Sequence, residues 1–286
     1  MRNTRVGLNS QDVCKCVSPV ALISGGSAGI GAASVRRFLA AGWRVAVVAL
    51  PDAHLNWLRS QDVVITAGDI TSGQTRETTV DRTLAAFGRI DVLINGAGVG
   101  LYGLPTEISP PLFSRILNVN VVAPLALAQL VVPVMLEQGF GTIVTMGSVA
   151  ARVALPWAAA YSASKSALCA LHDSLRRELR GSPVHLLNVH PGIVDTNFRS
   201  HVLSGQAPDA VRNIRYVVSP EAVAEAIFRA VRRRRKTVYV PAIGFLFNML
   251  GALAPSLMDY YLSRLSPPCW NRIRLHTAAA STTRVE

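Results

Sequence analysis

The chain has 286 residues, half of them apolar, with an aromatic share of only 6%. That length suits one α/β sheet domain with an appendage, and abundant alanine suits close helix–sheet packing better than a β sandwich. The formal net charge is +12, and residues 196–286 hold 13 Lys+Arg against 5 Asp+Glu, so +8 of it lies in the last third. Arg232, Arg233, Arg234, Arg235 and Lys236 are consecutive. Such a run is a solvated face or a phosphate-binding patch. No zinc module, recognition-helix pattern or aromatic RNA platform accompanies it, so no nucleic-acid partner is expected. Of the four cysteines, Cys14 and Cys16 form C-x-C without nearby histidines. No metal site and no disulfide framework are expected, and a reducing cytoplasm fits.

Residues 1–17 carry charges but lack the apolar core of a signal peptide, and read as a disordered leader. VALISGG (20–26) is an apolar run ending in glycine. SAGIGAASVRRFLAAGW follows with helical periodicity, and RVAVVAL (44–50) is a second apolar run. That is strand, glycine turn, helix, strand. VVITAGDI (63–70), DVLINGAG (91–98), GTIVTMGS (141–148) and VHLLNVHPG (184–192) read as further strands, with TVYVP as a seventh. Helical segments lie between them: DRTLAAFGRI, a long stretch over 114–138 interrupted near Pro124, AAAYSASKSALCALHDSLRRELR, and PEAVAEAIFRAVRRRRK. The last has Pro and Glu in its first turn and cations in its last, which complements the helix dipole. Strands alternating with helices predict a Rossmann-type, doubly wound parallel sheet of about seven strands with helices on both faces.

Residues 195–218 are polar and read as a mobile lid. AIGFLFNMLGALAPSLMDYYLSRL (242–265) is strongly apolar but broken by Pro255, Asn248, Asp259 and two glycines. It is too interrupted for a membrane span of about 20 residues. Three readings stand: a C-terminal helix pair over a substrate pocket, the same pair against another subunit, or peripheral contact with a membrane through 232–265. The domain reading is a leader 1–17, a dinucleotide-binding catalytic domain 18–240, an apolar helical segment 241–265 and a disordered tail 266–286.

Two motifs carry chemistry. SGGSAGIG holds Gly25, Gly29 and Gly31 between a strand and a helix, where glycines let backbone N–H groups approach a pyrophosphate at the helix N-terminus. YSASK (161–165) sets Tyr161 and Lys165 one helical turn apart on one face. Alone, such a pair fits an ordinary solvated helix face. Read as an acid–base pair, the fixed cation lowers a phenol that ordinarily titrates near pH 10.

G-x-x-x-G-I-G after the first strand, N-x-A-G after the fourth, Ser148 thirteen residues before Tyr161, Lys165 four after it, and Pro191–Gly192 after the sixth strand stand together. In this set the chain resembles the short-chain dehydrogenase/reductase family of the single-domain type, closely over about 18–197 and loosely beyond. The resemblance implies an NAD(P)-dependent oxidoreductase interconverting an alcohol and a ketone or aldehyde. Tyr161 would be the acid in reduction and the base in oxidation. Lys165 would lower its pKa and hold the nicotinamide ribose, and Ser148 would hold the substrate oxygen. Asn120 would support a proton-relaying water, with Asn118 as its neighbouring competitor. Cofactor contacts are expected from Gly25, Ser27, Gly29, Ile30 and Gly31, from Leu50, from Asp69 and Ile70, and from Asn95, Ala97 and Gly98. Tyr161, Lys165, Pro191, Gly192, Val194 and Thr196 would complete them.

The sequence departs from the family pattern at Gly96, where a second Asn is usual, and at Gly147, where Ser is frequent. Gly96 is expected to loosen the turn after the fourth strand. At the end of the second strand Ala49 stands where an acid would bind a ribose hydroxyl, and Leu50 where an arginine would accept a 2′-phosphate. Asp52 falls two or three residues late and otherwise caps the next helix. Both NAD and NADP stay open; the missing acid and the basic surface point toward NADP. Leu101, Leu104, Val153, Leu155, Trp157 and Phe198 are candidate pocket residues for an apolar or lipid-like small-molecule substrate. A homo-oligomer, dimer or tetramer, pairing through helices near 112–138 and 159–180 is implied by the resemblance. The rival reading is a nucleotide-sensing or membrane-docking protein that binds cofactor without turnover.

Overall fold

A computed structural model of the chain describes residues 18–51, 55–196, 198, 202–206 and 217–264. The expected leader 1–17, the tail 266–286, Asp52 and most of the expected lid lie outside the described residues.

Seven strands form one sheet: β1 (Val20–Ser24), β2 (Arg44–Ala49), β3 (Val63–Ala67), β4 (Val92–Asn95), β5 (Gly141–Met146), β6 (Val184–Pro191) and β7 (Thr237–Val240). Their order is β3-β2-β1-β4-β5-β6-β7, and every pairing is parallel. The order reverses between β1 and β4, which opens a crevice at the C-terminal ends of those strands.

Alternation along each strand feeds two cores. In β1, Ala21 and Ile23 face α1 (Gly29–Leu39) and α7 (Pro220–Arg232), where they meet Val35, Phe38, Ile227 and Phe228. Leu22, between them, joins the other face with Val80 of α3 (Gly73–Phe87) and Leu127, Val131 and Met135 of α5 (Ala123–Glu137). Both faces are covered, so the strands read as near-continuous apolar runs rather than alternating ones. Each such fully buried side chain contributes roughly 1.5–3 kcal/mol. A short α2 (Asn56–Arg59) seats Leu58 in the first core, and α6 (Ala159–Glu178) lends Leu175 to the second.

Local chemistry sets the helix ends. Ser72 and Ser219 cap α3 and α7 by accepting from Thr75 N and Ala222 N. Pro220 opens α7, Glu221 sits in its first turn, and Arg229 and Arg232 close it.

The long apolar stretch Pro110–Glu137 is, by length and composition alone, sufficient to cross a membrane. It is instead built into the fold: Ile116, Leu127, Val131 and Met135 are fully buried. It is also not one regular helix. α4 (Pro110–Leu117) passes into a π turn (Asn118–Val122) before α5 begins. The interruption expected at Pro124 therefore falls earlier. Pro124 sits in the first turn of α5, where a missing N–H is tolerated.

Beyond β7 and a cis Val240–Pro241 peptide, the apolar segment forms two helices, α8 (Ile243–Leu253) and α9 (Pro255–Ser263). Phe247, Met258 and Leu262 pack on Val153 and Leu155, in the chain just after β5.

Candidate active site

The glycine turn after β1 and the loop after β4 meet at the crevice. Gly25 has φ +72°, and a Cβ there would lie 2.8 Å from the Ala97 backbone. Only glycine combines that conformation with that approach. Ser24 joins the two loops: its hydroxyl accepts from Gly96 N at 3.1 Å and from Ala97 N at 3.3 Å. The turn at Gly96 is thus held by two bonds rather than loosened. Gly147 also has a packing reason, since a Cβ would come within 2.7 Å of Asn188 Oδ1 and 3.0 Å of Val189 O.

Around this crevice lie most of the residues singled out for a dinucleotide. Gly25, Ser27, Gly29, Ile30 and Gly31 form the turn and the start of α1. Thr196 lies across it, its Cγ2 3.2 Å from where a Cβ on Gly29 would stand. The Ala49–Ala67 pairing sets Leu50 beside Gly68, one residue before Asp69, just past β2 and β3. Leu50 is 46% exposed, and Ile70 is buried. Asp69 is exposed and ties its Oδ1 to Thr71 N and Oγ1, both at 2.9 Å. Asn95 to Gly98 follow β4, while Gly192 and Val194 follow β6, whose last residue is Pro191. Sequence reading missed Trp57, whose indole N–H donates to Ser27 O at 3.1 Å. Arg36 stacks on that indole, 4.9 Å from its centre.

The second group converges from β5, α6 and the π turn. Ser148 follows β5, and its hydroxyl accepts from Ala150 N at 3.1 Å and pairs with the Tyr161 hydroxyl. His190 Nδ1 bonds Ser148 O at 3.0 Å, a support that no motif announced. Lys165, 6% exposed, donates from Nζ to Met146 O at 2.9 Å and lies 5.8 Å from the Tyr161 ring centre.

Asn120 is fully buried in the π turn. Its Oδ1 accepts from Val99 N at 2.9 Å, and its Nδ2 donates to Val99 O and Ser164 Oγ, both at 3.0 Å. Ser164 in turn donates to Tyr161 O at 2.7 Å. Asn118, the competitor for this place, is exposed.

Burial dominates the electrostatics. It pushes Tyr161 up to about 12, although the Ser148 hydroxyl pulls the other way. It pushes Lys165 down to about 8. The expected lowering of the phenol by its cation is therefore not seen here: loss of water around Tyr161 raises it, and the group that pulls it down is the Ser148 hydroxyl. A phenol so placed stays protonated at neutral pH and is a proton donor.

Among the apolar pocket candidates, Phe198 meets the Tyr161 ring edge-on at 5.9 Å. Trp157 has φ +65° and accepts from Gly103 N at 2.8 Å, a strained backbone four residues before Tyr161. Leu101 instead packs into a small cluster with Ile116 and Ala160. Val153 and Leu155 contact the C-terminal helices. Tyr102, close enough to Tyr161 to raise it further, was not singled out from sequence.

A parallel sheet of this order, with a glycine turn at its reversal point and a hydroxyl pair beside a buried ammonium, defines the class of dinucleotide-dependent oxidoreductases. The short chain dehydrogenase family profile matches residues 19–207, and the chain belongs to that family of oxidoreductases. It is 31% identical over 287 residues to dehydrogenase/reductase SDR family member 7B of Danio rerio, covering 93% of this chain and 88% of the relative. It is 27% identical over 259 residues to the SDR family protein 7-like of Drosophila melanogaster, covering 86% and 79%. Among solved structures, a short chain dehydrogenase/reductase from Burkholderia phymatum in complex with NAD superposes with a TM-score of 0.76 at 26% identity, covering 84% of this chain and 95% of that one. A short-chain dehydrogenase from Streptomyces avermitilis gives 0.76 at 25% identity, covering 88% and 100%.

Proposed function

We propose that the chain interconverts an alcohol and a ketone or aldehyde by hydride transfer, with Tyr161 as the acid and base. The observation that carries this reading is the paired Ser148 and Tyr161 hydroxyls, set beside the buried Lys165 at the C-terminal edge of the sheet. A nicotinamide dinucleotide supplies the hydride. The cradle fits such a group: the Gly25 turn and the Ala97 loop approach too closely to admit side chains. Gly25, Ser27, Gly29, Ile30 and Gly31 would hold its pyrophosphate. Leu50, Asp69 and Ile70 would flank its adenosine, and Asn95, Ala97 and Gly98 would pass beneath it. Pro191, Gly192, Val194 and Thr196 would flank the nicotinamide, and Lys165 would meet its ribose.

As a carbonyl is reduced, negative charge grows on its oxygen. Ser148 and Tyr161 donate to that oxygen, and Tyr161 passes its proton across. Asn120 and Ser164 fix the backbone on both sides of the reacting group. Ala49 at the end of β2 leaves no carboxylate for a ribose hydroxyl, which supports NADP over NAD. The relative named for NAD keeps the other open. An apolar substrate fits the aromatic edge of Phe198, and a cytoplasmic homo-oligomer belongs to the same reading.

The test is NADPH and NADH oxidation over ketones and aldehydes, long-chain ones included, with wild type beside Tyr161→Phe. Turnover that collapses in the variant supports the reading. Turnover that survives, or cofactor binding with no turnover on any carbonyl, sinks it.

A further inference from the structure

Nine large apolar or aromatic side chains stand exposed on one hairpin, on α8 and α9. On α8, Ile243, Leu246, Leu250 and Leu253 recur at i, i+3, i+7 and i+10, a single stripe. On α9, Leu257, Tyr260, Tyr261 and Arg264 recur at i, i+3, i+4 and i+7. Exposure peaks at the turn between the helices, where Leu253 is 77% exposed. The opposite side of the hairpin is engaged: Gly244 approaches Val149, and Gly251 approaches Val153. Asp259 is the one charged residue between 241 and 263. Such a patch on a folded surface marks an interaction site.

We propose that this hairpin docks onto a lipid surface, with its Leu253 tip among the acyl chains. The order of residues along α9 supports lipid over a second protein. Leu257 lies nearest the tip, Tyr260 and Tyr261 about one turn further, and Arg264 about 10 Å from Leu257 along the axis. That is the order of acyl chain, interfacial aromatic and phosphate. Arg264 stacks on Tyr260 at 4.2 Å, which holds the cation at the headgroup end of the stripe. A cationic border beside an apolar plate complements anionic lipid.

The Arg232–Lys236 run is not part of this border. It enters β7 at the end away from α8, and the four-residue strand sets about 13 Å between them. α8 and α9, at 11 and 9 residues, are each too short to span a hydrocarbon layer of about 30 Å, so the hairpin lies on the membrane rather than through it. Its inner face rests on the turn that follows Ser148, which puts the lipid about one helix diameter, ~10 Å, from the site.

The test is sedimentation of the full chain with vesicles of phosphatidylcholine alone and with added phosphatidylserine. Wild type is expected to sediment with both, and several-fold more with the anionic vesicles. The triple variant Leu250→Ser, Leu253→Ser, Leu257→Ser should lose binding at least tenfold while keeping its melting temperature within a few degrees. Arg264→Gln should lose the anionic preference and keep the rest. None of these readouts depends on turnover, so the proposed reaction and the docking surface stand or fall separately. Absence of wild-type binding to either vesicle overturns the proposal, as does triple-variant binding equal to wild type. Light scattering identifies a second copy as the occupant if wild type is oligomeric, the variant is monomeric and neither binds vesicles; that too overturns it.

Discussion

Lys165 Nζ donates to the carbonyl of Met146, the last residue of β5, at 2.9 Å. One bond thus ties α6 to the strand that precedes Ser148, and it holds a cation where water hardly reaches. Holding it there costs stability. Unfolded, Lys165 titrates near 10.5; folded, burial brings it to about 8. The charged form is disfavoured in the fold by about 3 kcal/mol, in full below pH 8, and the cost fades as pH rises toward 10.5. Lys165→Met should therefore melt higher than wild type at pH 7, by up to about 3 kcal/mol less the lost bond, while turnover falls at least a hundredfold. Melting curves at pH 7 and pH 10 check it. A variant that is less stable than wild type at pH 7 would show that the Met146 bond outweighs the burial.

The Tyr161 phenol keeps its proton up to about 12 before ligands arrive. Carbonyl reduction is therefore expected to stay level between pH 6 and 7.5, with alcohol oxidation rising toward alkaline pH, because only oxidation needs the phenolate. Tyr161→Phe should cost roughly 10²–10⁴ in kcat in both directions and leave cofactor affinity within a few-fold. Full pH profiles in both directions decide it.

Asn120 satisfies both main-chain groups of Val99 and the Ser164 hydroxyl. Asn120→Ala leaves the N–H and C=O of the half-buried Val99 without their partners and takes one bond from the Ser164 hydroxyl, at about 1–3 kcal/mol for each group left unpaired. Denaturant titration should show that loss. Asn118→Ala, on the exposed side of the same π turn, should stay within about 0.5 kcal/mol of wild type.

His172 is buried on α6, with Nδ1 bonded to Thr145 Oγ1 at 2.9 Å and Nε2 without a protein partner. Burial lowers it from 6.5 to about 4. The unfolded chain takes up a proton as pH falls through 6.5 and the folded chain does not until about 4, so stability drops across that window by about 2–3 kcal/mol. His172→Gln should flatten the decline. A wild-type melting temperature that holds constant from pH 7 to pH 4.5 would contradict it.

How legible this molecule was depends on the range of each interaction. The seven strands were readable because a parallel sheet covered on both faces needs uninterrupted apolar runs, as in VALIS and GTIVTM. Pro255 announced the break between α8 and α9. The π turn was not readable, since NVNVV carries no glycine or proline, and Pro124 drew the eye past it. Tyr161 and Lys165 announced themselves by spacing. Their titration did not, because proximity of charge can be read along four residues, whereas burial is assembled by the whole fold. His190 reaches Ser148 across 42 positions and Trp57 reaches Ser27 across 30, so no local pattern records either.

The turn at Asn118–Val122 holds one residue more than a regular helix would use over the same length. Deleting a single residue there would restore a uniform helix while leaving the helical faces on either side in place. The turn itself would be rebuilt on one position fewer, so the Asn120 amide that holds both main-chain groups of Val99 would be displaced even if its letter were kept. Counting, as much as chemistry, is what this stretch encodes: its length cannot drift by one even though most of its letters could.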